Sequence, residues 1–184
     1  MSMEHKAFVF DTKKFHAEIE PVMRDCIKDT EVAHRYICGH LEELQSPYTG
    51  DTLEEGWEEE FGELTLQVYF DILLTACYEV EDDCGLGEMW DAVNEVIGQL
   101  DIFEEPQIAV LGREVNIEEV QVDPGMMGLG IVEHDEVSEI RNRLLENREE
   151  AENAEPEEWM EAYDDLCSIY EEAARQGKGL LFTF

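Results

Sequence analysis

Met126-Met-Gly-Leu-Gly-Ile-Val-Glu-His-Asp135 and Gly179-Leu-Leu-Phe-Thr-Phe184 belong to the half of the chain, Val110 to Phe184, whose reading decides the fold. The first is an apolar, glycine-bearing strand that runs into a polar junction. The second is a closing strand of aliphatic and aromatic residues. Two amphipathic helices are predicted between them. Asp135 to Glu149 places Val137, Ile140, Leu144 and Leu145 inward at helical spacing. The other opens at Pro156, a residue suited to a first helical turn, and its stripe is Trp159, Met160, Tyr163, Leu166, Cys167, Tyr170 and Ala174. Gly177 closes it as a C-cap. The acid-rich stretch Glu149 to Glu155 between the two helices reads as a linker.

Upstream of this segment, Ile108-Ala-Val-Leu111 and Val115 to Val122 are β-branched runs without helical period, and both are predicted as strands. Gly112-Arg113 separates them, and Asp123-Pro-Gly125 ends the second with a turn. The first hundred residues read differently. A short strand Phe8-Val-Phe10 gives way at Asp11-Thr12 to a helix carrying Phe15, Ile19, Val22, Met23, Cys26 and Ile27, with Pro21 as a kink or a break. A second helix spans Glu31 to Leu44 with Gly39 weakening its middle, and Ser46-Pro-Tyr-Thr-Gly50 is a loop. Thr52-Leu-Glu-Glu55 matches a capping box, so a long helix is predicted from there, with Trp57, Phe61, Leu64, Val68 and Ile72 on one face. Leu64 to Val80 carries acids only at Asp71 and Glu79 and should be its most buried part. A further helix runs from Leu86 to Leu100. Helices followed by clustered strands give the α+β class, a helix-rich N-terminal part with a small, mostly antiparallel sheet and two packed helices after it. One domain of 184 residues is expected, with a helical lobe over 1–105 and a sheet-containing lobe over 106–184.

Charge excludes more than any motif does. The chain carries 47 acidic and 12 basic residues, a net of −35. Residues 1–40 hold seven acids against six bases, so residues 41–184 carry −34. Such a field repels nucleic acid and anionic membrane surfaces and attracts basic proteins. No apolar run approaches the ~20 residues that span a bilayer, and Met-Ser-Met-Glu-His-Lys lacks the pattern of a signal peptide, so a cytoplasmic location is expected. Five cysteines at irregular spacing in such a chain read as reduced, packed thiols.

Catalytic signatures are missing: no H-E-x-x-H, G-x-S-x-G, phosphate-binding G-x-x-x-x-G-K or paired C-x-x-C occurs. His34 and Cys38 are four apart, which puts them on one helix face, yet with His40, Cys26 and His16 they match no standard zinc spacing. Neither a metal nor a cofactor is assigned. Gly128 and Gly130 let another backbone or a ligand come close to their strand, and His134 at its end is the foremost polar candidate.

Gly128-Leu-Gly-Ile-Val-Glu-His-Asp-Glu-Val137, the stretch Tyr163 to Gly177 with its Ala-rich, Gly-capped end, and the strand Gly179 to Phe184 together resemble the end of the YfbM-like domains of unknown function. The resemblance covers about 55 residues, counted along those segments, and implies an α+β fold. It implies no reaction and carries over no catalytic residue.

Two functional expectations follow. The first is an acidic interaction module that binds a basic protein, an inhibitor of the immunity-protein or DNA-mimic type being one form. Its contact residues would be the runs Glu54, Glu55, Glu58, Glu59, Glu60 and Glu149, Glu150, Glu152, Glu155, Glu157, Glu158. The alternative is a small-ligand binder or enzyme with a pocket near His134, using the hydroxyls of Tyr163 and Tyr170.

Overall fold

The computed structural model describes residues 3–154 and 157–184, with the side chains of residues 154, 157 and 158 left aside. Strand β1 (Lys6–Phe10) leads through the N-cap Asp11, whose carboxylate accepts from the Lys14 amide, into α1 (Thr12–Lys14), a π-helical stretch (Phe15–Ile19) and α2 (Glu20–Cys26). Pro21 accounts for the π turn. A proline ring clashes with the carbonyl four residues back, and the wider turn, in which the Glu20 amide donates to Phe15 O, makes room for it without breaking the helix.

Helix α3 (Glu31–Gly39) stops at Gly39, five residues short of the predicted end, and Leu41–Glu43 continues as a 3₁₀ turn. The capping box at Thr52 is not used: Thr52 bridges to Gln45 in extended pairing. Gly56 and Gly62 both take positive φ, so the helix predicted as continuous is cut into a single turn, α4 (Glu58–Phe61), and α5 (Leu66–Leu74), with Thr75–Cys77 as a 3₁₀ extension. Thr65 is the N-cap in use, its hydroxyl accepting from the Val68 amide. Helix α6 (Trp90–Leu100) buries Val93, Val96 and Ile97.

Ile108–Leu111 is a helical turn, α7, and not a strand. Four apolar residues fix no period, and Gly112, at positive φ, reverses the chain immediately after them. The strands β2 (Arg113–Glu114), β3 (Asn116–Ile117) and β4 (Val120–Gln121) follow, then β5 (Leu129–Val132). Helix α8 (Val137–Glu146) buries Val137, Ile140 and Leu144, but Leu145 points outward and is 41% exposed. The predicted linker is a helix as far as it is described, α9 (Arg148–Ala154); Glu155 and Pro156 lie outside the described residues. Arg148 holds it in place, donating to both carboxylate oxygens of Asp164 at 2.6 Å, while Ala151 is buried beneath. Helix α10 (Glu157–Gln176) ends at Gly177 in a Schellman turn, with the Lys178 amide on Ala173 O, and β6 (Gly179–Thr183) closes the chain path.

The sheet is antiparallel throughout, in the order β1-β6-β5-β2, with Phe10 opposite Gly179, and Leu129 opposite Thr183. Both faces are covered. Ala7, Val132, Leu180 and Phe182 pack with α6, α8 and α10 on one side, while Phe8, Phe10, Ile131 and Leu181 pack with α2, α3 and α5 on the other. This is why β5 and the first four residues of β6 are buried without the alternation of a half-exposed strand. The fold is α+β. Among the described residues no helix is long and apolar enough to cross a membrane.

Two glycines fix how the strands meet the helices. A Cβ on Gly130 would lie 1.9 Å from the Leu111 carbonyl oxygen, and one on Gly112 2.8 Å from the Ile131 amide. Gly130→Ala is therefore expected to destabilise the fold by about 1–3 kcal/mol or more, because backbone rather than a movable side chain must shift. Gly39→Ala, where nothing lies within 4 Å, should leave stability unchanged or raise it by ~0.4–1 kcal/mol. Urea unfolding of the two variants beside the parent checks both.

Candidate functional site

The acidic runs lie where a partner can reach them. Glu54, Glu55 and Glu59 are exposed, and their carboxylates make no hydrogen bond or ion pair with the described residues; the same holds for the Glu150 carboxylate. Glu149 is exposed too; its main-chain carbonyl accepts from the Asn153 side chain, and its carboxylate has no partner among the described residues. Others in the runs have local partners: Glu58 accepts from His34 at 3.0 Å, Glu60 from the buried Ser46 hydroxyl, and Glu152 from Arg148 at 3.1 Å. Glu155 lies outside the described residues, and Glu157 and Glu158 are described only as backbone of α10.

Tyr163 and Tyr170 are fully enclosed. The Tyr163 hydroxyl donates to Leu144 O at 2.7 Å and the Tyr170 hydroxyl to Ala109 O at 2.9 Å, so each ties α10 to a carbonyl of α8 or α7. Burial pushes both phenols above their usual range. His134 sits elsewhere, where β5 leaves the sheet. Its amide donates to the buried Thr12 hydroxyl, which also shares a hydrogen bond with His134 Nδ1 at 3.0 Å, so the imidazole fastens the β5–α8 junction onto α1. The structure does not gather these three side chains around one cavity. Gly128 and Gly130 line a largely apolar cavity of about 470 Å³ with Leu111, Phe182 and Phe184.

A histidine that the sequence did not single out does comparable work. His5 is 1% exposed, donates from Nε2 to Val110 O at 2.6 Å and accepts at Nδ1 from the Leu86 amide at 3.1 Å. That pattern fixes a neutral tautomer, and burial lowers its pKa accordingly.

The cleft with the most unusual chemistry is centred on Asp71 of α5. It measures about 370 Å³ and lies between α5, the 47–49 and 124–127 loops, and the sheet residues Phe8, Leu129 and Leu181. The Asp71 carboxylate makes no hydrogen bond or ion pair with the described residues, and burial alone pushes its pKa up to about 6. Tyr48 and Tyr78 share the cleft, and both phenols are raised, first by burial and then by the Asp71 charge. The signal for this site was in the sequence: Asp71 is the lone acid within the apolar run Leu64 to Tyr78.

No protein family, curated protein or solved structure matches the chain.

Because the folded state holds the Asp71 proton to a higher pH than an unfolded carboxyl at 3.8, Asp71 opposes stability as pH rises from about 4 to about 6. Asp71→Asn is expected to stabilise the protein by on the order of 1–2 kcal/mol at pH 7, the gain shrinking to nothing below about pH 4. Thermal melts of parent and variant across that pH range measure it.

Proposed function

We propose that this chain is an acidic protein-interaction module that docks a basic protein, with an inhibitor of the immunity-protein or DNA-mimic type as the form best suited to its charge. The observation that supports this reading is the set of exposed carboxylates at Glu54, Glu55, Glu59, Glu149 and Glu150, whose side chains have no cation beside them among the described residues. With 47 acids to 12 bases, one-to-one pairing of every Lys and Arg would still leave most carboxylates without a cation. Their repulsion is relieved when a basic surface arrives. The same field disfavours nucleic acid and anionic lipid as direct partners. The resemblance to YfbM-like domains bears on the closing segment of the fold and supplies no reaction.

A second reading rests on the Asp71 cleft: a small cationic ligand would satisfy a carboxylate that has no partner among the described residues, and Tyr48 and Tyr78 would flank it.

The two readings separate experimentally. An interaction module should recover, from the cells that make it, a basic partner whose association rate falls steeply with salt. Replacing Glu54, Glu55, Glu59, Glu149 and Glu150 by Gln should slow that association by about tenfold or more while dissociation changes little. Recovery of no salt-sensitive basic partner contradicts the module, and loss of ligand binding on Asp71→Asn alone would favour the cleft.

A further inference from the structure

We propose that His34, Cys38 and Glu58 form a binding site for a borderline-soft divalent metal ion of the Zn(II) class. The inference is independent of the partner-binding reading. His34 and Cys38 share one face of α3, and the fold adds a third donor from a different element, Glu58 at the first turn of α4. His34 Nε2 stands 3.0 Å from Glu58 Oε1, Cys38 Sγ stands 3.8 Å from His34 Nδ1, and one ligand atom from each residue falls within 4.8 Å of the other two.

The donor set serves two chemistries. A thiol, an imidazole and a carboxylate also compose a nucleophile relay, but a relay needs the thiol and the carboxylate on opposite nitrogens with the ring between them. Cys38 Sγ on Nδ1 and Glu58 Oε1 on Nε2 have that order, yet one ligand atom from each of the three residues also lies within 4.8 Å of the other two, close enough for the donors to converge on one ion. The cluster lines none of the described cavities. Zn(II) bonds of ~2.0–2.3 Å to N, O and S put tetrahedral donors roughly 3.3–3.7 Å apart. The remaining closure is within reach of side chains that are exposed at Cys38 and about one-third exposed at His34 and Glu58. A thiolate, an imidazole and one carboxylate select Zn(II) or Co(II) over Mg(II) and Ca(II), which prefer all-oxygen sites, and three protein donors leave a fourth position for water. The buried Trp57 ring, 5.6 Å from the imidazole, provides an apolar wall that strengthens the metal's interaction with its ligands.

The consequence is structural. Helix α4 is a single turn with no buried residue, set between Gly56 and Gly62, both at positive φ. A metal bridging Glu58 to α3 fastens this acidic turn, with Glu59 beside it, onto the body of the protein, and metal bound only by the folded state raises its stability.

The test uses the full chain, reduced and freed of metal, titrated with Co(II) alone. The expected result is uptake at one ion per chain with a near-ultraviolet thiolate-to-cobalt charge-transfer band, and displacement of that ion by Zn(II). Cys38→Ser should abolish the band, Cys84→Ser, the other exposed cysteine, should keep it, and His34→Ala and Glu58→Gln should each weaken Zn(II) binding by about 10–100-fold. All of these positions are at least partly exposed, so the variants keep the fold. A chain that gives no charge-transfer band at stoichiometric Co(II), a band that survives Cys38→Ser, or Zn(II) affinity unchanged by His34→Ala and Glu58→Gln would overturn the site.

Discussion

Everything in this molecule hangs on β6 lying between β1 and β5. The strand Gly179–Thr183 forms hydrogen-bonded ladders on both edges, to residues at 6–10 on one side and 129–132 on the other. It thereby joins segments at opposite ends of the sequence, and its alternate side chains enter both apolar layers: Leu180 and Phe182 face α6, α8 and α10, while Leu181 faces the N-terminal helices. Removing its backbone partners would strand amide and carbonyl groups in the most buried part of the structure, at a cost of ~1–3 kcal/mol for each group left unsatisfied. The candidate cleft inherits this dependence, since Leu181, Thr183 and Phe184 contribute to its walls beside Asp71.

The second constraint is charge. A net of −35 works against compactness, and some of the few cations fasten elements together. Arg148 clamps α9 onto α10 through Asp164, and Arg113 on β2 donates to Glu136 at 2.6 Å just before α8. The exposed acids at 54, 55, 59, 149 and 150 have no cation paired with their carboxylates among the described residues. The proposed basic partner on the acidic faces and the proposed divalent ion between α3 and α4 would answer the same electrostatic need at different scales.

What could be read from the sequence is what local chemistry determines. A helix start at Asp11-Thr12, Gly177 as a helix terminator, the buried stripe of α10 and the strands β1, β5 and β6 follow from residue type and spacing. Ile108–Leu111 did not, because four apolar residues carry no period and their helical turn is set by the meeting of Gly112 with Gly130. The capping box at Thr52 was overridden by Gly56, whose positive φ turns the chain before a helix can propagate. Site chemistry was legible only in halves. His34 and Cys38 could be paired by helical spacing, but Glu58 joins them through tertiary structure 24 residues away from His34. His5 shows no local signal, since its partners Leu86 and Val110 are 81 and 105 residues distant.

Native-state hydrogen exchange tests the primacy of β6 most directly. If β6 ties the two apolar layers into one cooperative unit, the interior amides of β6 and those of β1 and β5 that bond to it will exchange slowest, with a common opening free energy close to that of global unfolding. Release of β1 at a markedly lower free energy, while β5 and β6 stay protected, would contradict the account.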